Sequence, residues 1–131
     1  MSLIGPLGAG KTEMAKGVAE GLGLCGDRLT SPTFTVAQEW PLPGGGRLVH
    51  ADWYRLASEE EALAAGLRDW LEQGTVLMVE WADRLPTALP ADHLRVEILM
   101  VEGEASAREI AVSAEGPRSA ELLTGWSAAW R

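Results

Sequence analysis

An α/β fold is predicted, with a three-layer arrangement in which a mixed sheet lies between flanking helices. Three observations lead to it. Gly5-Pro6-Leu7-Gly8-Ala9-Gly10-Lys11-Thr12 stands between a short apolar stretch and an amphipathic one. Thr75-Val76-Leu77-Met78-Val79-Glu80-Trp81 is a nearly continuous apolar run, the pattern of a strand buried on both faces, and it ends in an acid. Around these, strand-like and helix-like periodicities alternate without a repeat, a low-complexity tract or a linker, so residues 1–131 read as one domain.

The first element is a short buried strand over Ser2-Leu3-Ile4. The glycine-rich stretch behind it has P-loop spacing, Gly, four residues, then Gly-Lys-Thr. Glycines there allow close backbone approach and unusual dihedrals, so that N–H groups converge on an anion at the N-terminus of the next helix. Lys11 is placed to reach β- and γ-phosphates, and the Thr12 hydroxyl to ligate Mg²⁺. Met14, Val18 and Leu22, with Ala15 and Ala19 beside them, predict a helix packed on a sheet and ending near Leu22, before Gly23 and Gly26.

Thr30-Ser31-Pro32-Thr33-Phe34-Thr35 carries four hydroxyl side chains, and Pro32 keeps Ser31 out of the α region. The segment reads either as a switch sensing a γ-phosphate or as a hydroxyl-rich strand entry. Val36 to Trp40 and Leu48 to Ala51 form a predicted hairpin across the Pro/Gly-rich loop 41–46. Asp52 at the end of the second strand is suited to position a water or a metal; it is equally suited to a structural ion pair with Arg55.

Ser58-Glu59-Glu60-Glu61 is a capping box opening a helical region through Gln73, broken near Gly66, with Ala62, Leu63, Leu67, Trp70 and Leu71 as its buried face. Glu80, delivered at the end of the apolar strand, would hold Mg²⁺ or orient an attacking water; the simpler alternative is an acid facing solvent. Leu94 to Val101 and Arg108 to Ala114 predict an antiparallel hairpin around Gly103. A last helix, Ser119 to Trp130, would turn Leu122, Trp126 and Trp130 inward.

Composition narrows the partners. With 19 acidic against 11 basic residues, a net charge of −8 disfavours unaided binding to nucleic acid and suits either plain solubility or docking onto a basic protein patch. No apolar run has membrane-spanning length and no signal peptide leads the chain, so no membrane association is expected. The single Cys25 excludes an intrachain disulfide, reads as a buried or semi-buried structural thiol, and fits a reducing, cytoplasmic setting. His50 and His93 lack metal-ligand spacing and read as structural.

Four segments taken in order resemble the TsaE (YjeE-type) ATPases of bacterial tRNA modification: Gly8-Ala9-Gly10-Lys11-Thr12, Ser31-Pro32-Thr33-Phe34-Thr35, His50-Ala51-Asp52-Trp53-Tyr54-Arg55-Leu56 and Val79-Glu80-Trp81. The resemblance weakens after about Ala91. It implies a P-loop ATPase, weak alone and stimulated by the TsaD and TsaB proteins, in the synthesis of N6-threonylcarbamoyladenosine at tRNA position 37. Its cofactors would be ATP and Mg²⁺, and tRNA would be met mainly through the complex.

Carried onto this chain, the resemblance places nucleotide on Gly5, Gly8, Ala9, Gly10, Lys11, Thr12 and Glu13, with Ser31 and Thr33 near the γ-phosphate and Arg108 in contact from the C-terminal strands. It assigns Mg²⁺ to Thr12 and Glu80, and catalysis to Lys11, Asp52 and Glu80, which for Asp52 reverses the structural reading. Family members usually carry a helix and a strand before the P-loop strand. Here Met1 lies four residues before Gly5, so that segment is expected to be missing from the pocket. Two other functions fit the P-loop: a small-molecule kinase, which the absence of an arginine-rich lid disfavours, and a non-catalytic nucleotide-binding scaffold.

Overall fold

A computed structural model describes residues 1–29 and 35–129. It contains a six-stranded sheet in the order β2-β3-β4-β1-β5-β6, formed by Ser2–Ile4 (β1), Ala37–Pro41 (β2), Arg47–Asp52 (β3), Thr75–Glu80 (β4), Leu94–Val101 (β5) and Glu104–Ala114 (β6). β3, β4, β1 and β5 are parallel, and the edge strands β2 and β6 are each antiparallel to their neighbour. Pro41, predicted to open the loop, instead ends β2, where an edge strand tolerates a missing N–H.

Adjacent residues on one strand face opposite sides, so Leu48 and Val49, or Met78 and Val79, enter different cores. One core joins Leu48, Met78, Leu3 and Val96 to helix α1 (Lys11–Gly21). The other joins Val49, Ala51 and Val79 to Trp53 and to helices α2 (Glu59–Ala65) and α3 (Leu67–Trp70). The predicted three-layer α/β fold is therefore present. On α1 the fully buried residues are Ala15 and Ala19; Met14, Val18 and Leu22 are half-buried beside them. Small side chains at the contact let the helix axis approach the sheet.

The capping box forms with a shifted second half. The Ser58 hydroxyl accepts from Glu61 N–H at 3.2 Å, while the Glu61 carboxylate accepts from Ala57 N–H, one residue before the cap. Ser58→Ala is expected to destabilise the chain by about 1 kcal/mol, measurable by urea unfolding. The break falls at Gly66, as anticipated, but Leu63 and Leu71 are exposed. Two short helices either side of a left-handed glycine (φ 123°) do not share one stripe, and only Ala62, Leu67 and Trp70 reach the core.

Three further expectations change. Leu122, on helix α4 (Pro117–Ala129), is exposed, and only Trp126 packs partly against the α1-side core; Trp130 lies outside the described residues. Cys25 is exposed, because Leu29 and Gly26 supply the buried contacts of that turn. β6 begins at Glu104 and continues the hairpin past an irregularity at Met100/Val101. Among the described residues no helix is long and apolar enough to cross a membrane.

Candidate functional site

The parallel strands bring their C-terminal ends to one edge. Leu3 pairs with Glu80 and Asp52 also pairs with Glu80, so the start of the glycine-rich loop and both acids line up across three neighbouring strands. Open α/β sheets place ligands at such an edge. A cleft of about 650 Å³ opens there, lined by Gly8, Lys11, Thr12, Asp52, Glu80 and Trp81 among others.

The loop is held tightly. A Cβ on Gly5 would lie 2.5 Å from the Ile98 carbonyl oxygen, so only glycine fits this approach to β5. Gly8 and Gly10 have φ of 79° and 113°, and Gly10 is the N-cap of α1. No side chain caps that helix, which leaves its first-turn N–H groups directed at the cleft. Arg108 braces the loop from β6: its Nε donates to the Ala9 carbonyl at 3.0 Å and an Nη to the Gly8 carbonyl at 3.3 Å. Its other Nη donates to Ala105 and Ala107 carbonyls, so every guanidinium nitrogen is engaged with backbone.

Lys11 is buried, and its ammonium curls back onto the loop, donating to the Gly5 and Pro6 carbonyls at 2.6 and 2.8 Å. It also sits 4.1 Å from the centroid of the Trp81 ring, a cation–π contact. Burial lowers its pKa, opposed by the charges of Glu80, Asp52 and Asp83. Trp81 is the only non-glycine residue with positive φ among those described (φ 58°, ψ 34°), a strained conformation for a bulky side chain. Its ring also packs on Tyr54, with centroids 5.0 Å apart.

Glu80 is buried between Thr12 and His50. Thr12 Oγ1 lies 3.0 Å from each carboxylate oxygen, and His50 Nε2 lies 2.5 Å from Oε2. An acid facing solvent is thus excluded for Glu80. Asp52 forms no ion pair with Arg55; its carboxylate accepts from Tyr54 N–H at 2.8 Å instead. Burial raises the Asp52 pKa, the Tyr54 N–H counteracts it, and neighbouring Glu80 adds to the rise.

Of the other expected site residues, Glu13 lines the cleft but is exposed and paired with Lys16. Ser31 and Thr33 lie outside the described residues, while Thr35 lines the cleft. His50, read from the sequence as structural, is buried against Glu80, a contact the sequence reading did not anticipate. Its two-residue offset from Asp52 puts both on one strand face, and that alternation was the available signal.

Comparison with known proteins gives the family and supports the fold. The family described as "Threonylcarbamoyl adenosine biosynthesis protein TsaE" matches residues 1–110. Relatives named tRNA threonylcarbamoyladenosine biosynthesis protein TsaE include those of Haemophilus influenzae (36% identical, covering 73% of this chain and 60% of that protein) and Bacillus subtilis (40%, covering 90% and 71%). The Streptomyces coelicolor protein is 38% identical, covering 88% of this chain and 80% of its own length. This chain therefore spans between 60% and 80% of the length of these relatives. A crystal structure of Bacillus subtilis YdiB superposes with a TM-score of 0.73 at 34% identity, over 99% of this chain and 77% of that one. By sequence and by fold, the chain belongs to the TsaE family.

Proposed function

We propose that this chain is a Mg²⁺-dependent ATPase acting in tRNA threonylcarbamoyladenosine synthesis, where hydrolysis resets a complex with TsaD and TsaB. The observation that carries the reading is the convergence of Lys11, Thr12, Asp52 and Glu80 on one cleft at the start of an uncapped helix. A scaffold that only held nucleotide would not need two acids at the loop.

The donor set fits Mg²⁺. The Thr12 hydroxyl and the Glu80 carboxylate are hard oxygen ligands 3.0 Å apart, and such a site is completed by phosphate oxygens and water. Bound there, the ion would neutralise charge on the β- and γ-phosphates. Thr12 can keep its hydrogen on Glu80 and still present a lone pair to the cleft. Lys11 exchanges the Gly5 and Pro6 carbonyls for phosphate oxygens, and Trp81 limits how far its ammonium can stray. Asp52 orients water against the γ-phosphorus and takes its proton as the bond to the ADP oxygen breaks; burial, which makes its carboxylate more basic, favours that step. Arg108 acts through the loop, holding the Gly8 and Ala9 carbonyls, instead of touching nucleotide directly.

Phosphate release from Mg-ATP, measured for the chain alone and with TsaB and TsaD, tests this reading. Stimulation by the pair is expected; ATP binding without any stimulated release would leave only the scaffold. Lys11→Ala should weaken ATP binding by about 2–5 kcal/mol, at least roughly 30-fold, in a fluorescent-nucleotide titration, since a buried charge partner is lost. Unchanged affinity would remove Lys11 from the site.

A further inference from the structure

We propose that His50 is a positioning residue that fixes the carboxylate of Glu80 for the metal; the inference rests on the reading of Glu80 as a Mg²⁺ ligand. Several observations converge. His50 is fully buried in the middle of β3, and its Nε2 lies 2.5 Å from Glu80 Oε2. Its Nδ1 is buried with no hydrogen-bond partner among the described residues. Glu80, on the neighbouring strand, has Thr12 as its other side-chain contact.

These facts assign the tautomer. A hydrogen on Nε2 makes the contact with a carboxylate oxygen attractive, whereas a bare nitrogen there would set two lone pairs against each other. The Nδ1–H tautomer would leave two buried groups unsatisfied, a donor without an acceptor and a lone pair facing Glu80, whereas the Nε2–H tautomer leaves only the Nδ1 lone pair. The imidazole is therefore an Nε2–H donor aimed at one oxygen of Glu80. It restrains the carboxylate from the core side, while Thr12 meets it from α1. A hydrophobic side chain in this place would fill the same volume and leave the acid free to rotate. Outer-shell donors of this kind commonly change metal affinity or activity by about 10–100-fold.

The test is the ratio of ADP affinities with and without Mg²⁺, read by fluorescent-nucleotide displacement, alongside the imidazole ¹⁵N spectrum of the metal-free chain. His50→Leu should lose about 10–100-fold of that ratio, with the Mg²⁺-free affinity unchanged. His50→Gln, whose amide N–H can reach the same oxygen, should recover most of it. The wild-type spectrum should place the hydrogen on Nε2. An unchanged ratio in His50→Leu, or a hydrogen found on Nδ1, overturns the inference. If His50→Leu does not fold, the wild-type spectrum and a failure of His50→Gln to keep the ratio decide instead. Glu80→Gln separates the two levels: a Mg²⁺ effect that survives there overturns the reading of Glu80 and this inference with it. A lost effect in Glu80→Gln beside a normal ratio in His50→Leu overturns the inference alone.

Discussion

Asp52→Asn should bind ATP about as well as the native chain and hydrolyse it about 10²–10⁴-fold more slowly, the range for loss of a positioned proton acceptor. The amide keeps the shape and can still accept from Tyr54 N–H, but it cannot take a proton from water. Phosphate release under saturating ATP and partners is the measurement; turnover within a factor of about ten of native would exclude the role, being below the least effect such a group has. The same residue predicts two pH effects. Burial raises its pKa, so the acid limb of turnover should lie above the ordinary aspartate value of about 3.9. A carboxyl with a raised folded-state pKa contributes stability below its unfolded pKa and loses it as pH rises through the folded one. Asp52→Asn should thus gain stability relative to the native chain as pH rises through that window, in urea titrations from acid to neutral pH. The opposite trend would mean that the carboxylate is favoured by folding.

The neighbouring residue should have the largest effect on stability. Trp53 is completely buried in the core beneath α2 and α3, and its backbone N–H donates to the Glu80 carbonyl at 3.0 Å. Trp53→Ala should cost about 3–5 kcal/mol, a large part of the 5–15 kcal/mol that holds typical domains folded. Trp53→Phe should cost much less, because it keeps a ring and removes an indole N–H that has no partner among the described residues. Chemical denaturation of the two variants decides: an alanine variant within about 1 kcal/mol of native would mean that the core closes over the gap, contrary to the usual cavity cost.

What the sequence disclosed, and what it withheld, follows from the range of the interactions involved. β1, the loop, α1 and β4 were legible because each rests on local spacing: a glycine pattern, an i, i+4 stripe, an apolar run. The position of β1 between β4 and β5 was not legible, since pairing partners far along the chain leave no local mark. Leu63, Leu71 and Leu122 sit at helical spacing yet face solvent, because periodicity identifies a stripe without saying which layer covers it. Asp52 and Arg55 are close in sequence, but the nearer Tyr54 N–H claimed the carboxylate. His50 meets Glu80 across two strands, and the left-handed Trp81 is a backbone conformation; neither kind of feature is written in residue type. Glycine positions were the exception, since Gly5, Gly8 and Gly10 announce both close approach and positive φ.

The place of β1 in the sheet has a consequence for the order in which the protein comes into being. Ser2 pairs with Val79 on one side and with Arg95 on the other, so the strand that launches the glycine-rich loop is translated well before either of its partners. A nascent chain that has left the ribosome only as far as α2 therefore exposes a glycine-rich loop without either of the strands that flank β1. Gly5 meets the backbone of β5 only once Ile98 has emerged. Contacts of such long sequence separation slow folding, and they bind the completion of the cleft to the completion of the sheet. An unfinished chain thus lacks the walls of the cleft until its sheet is in place.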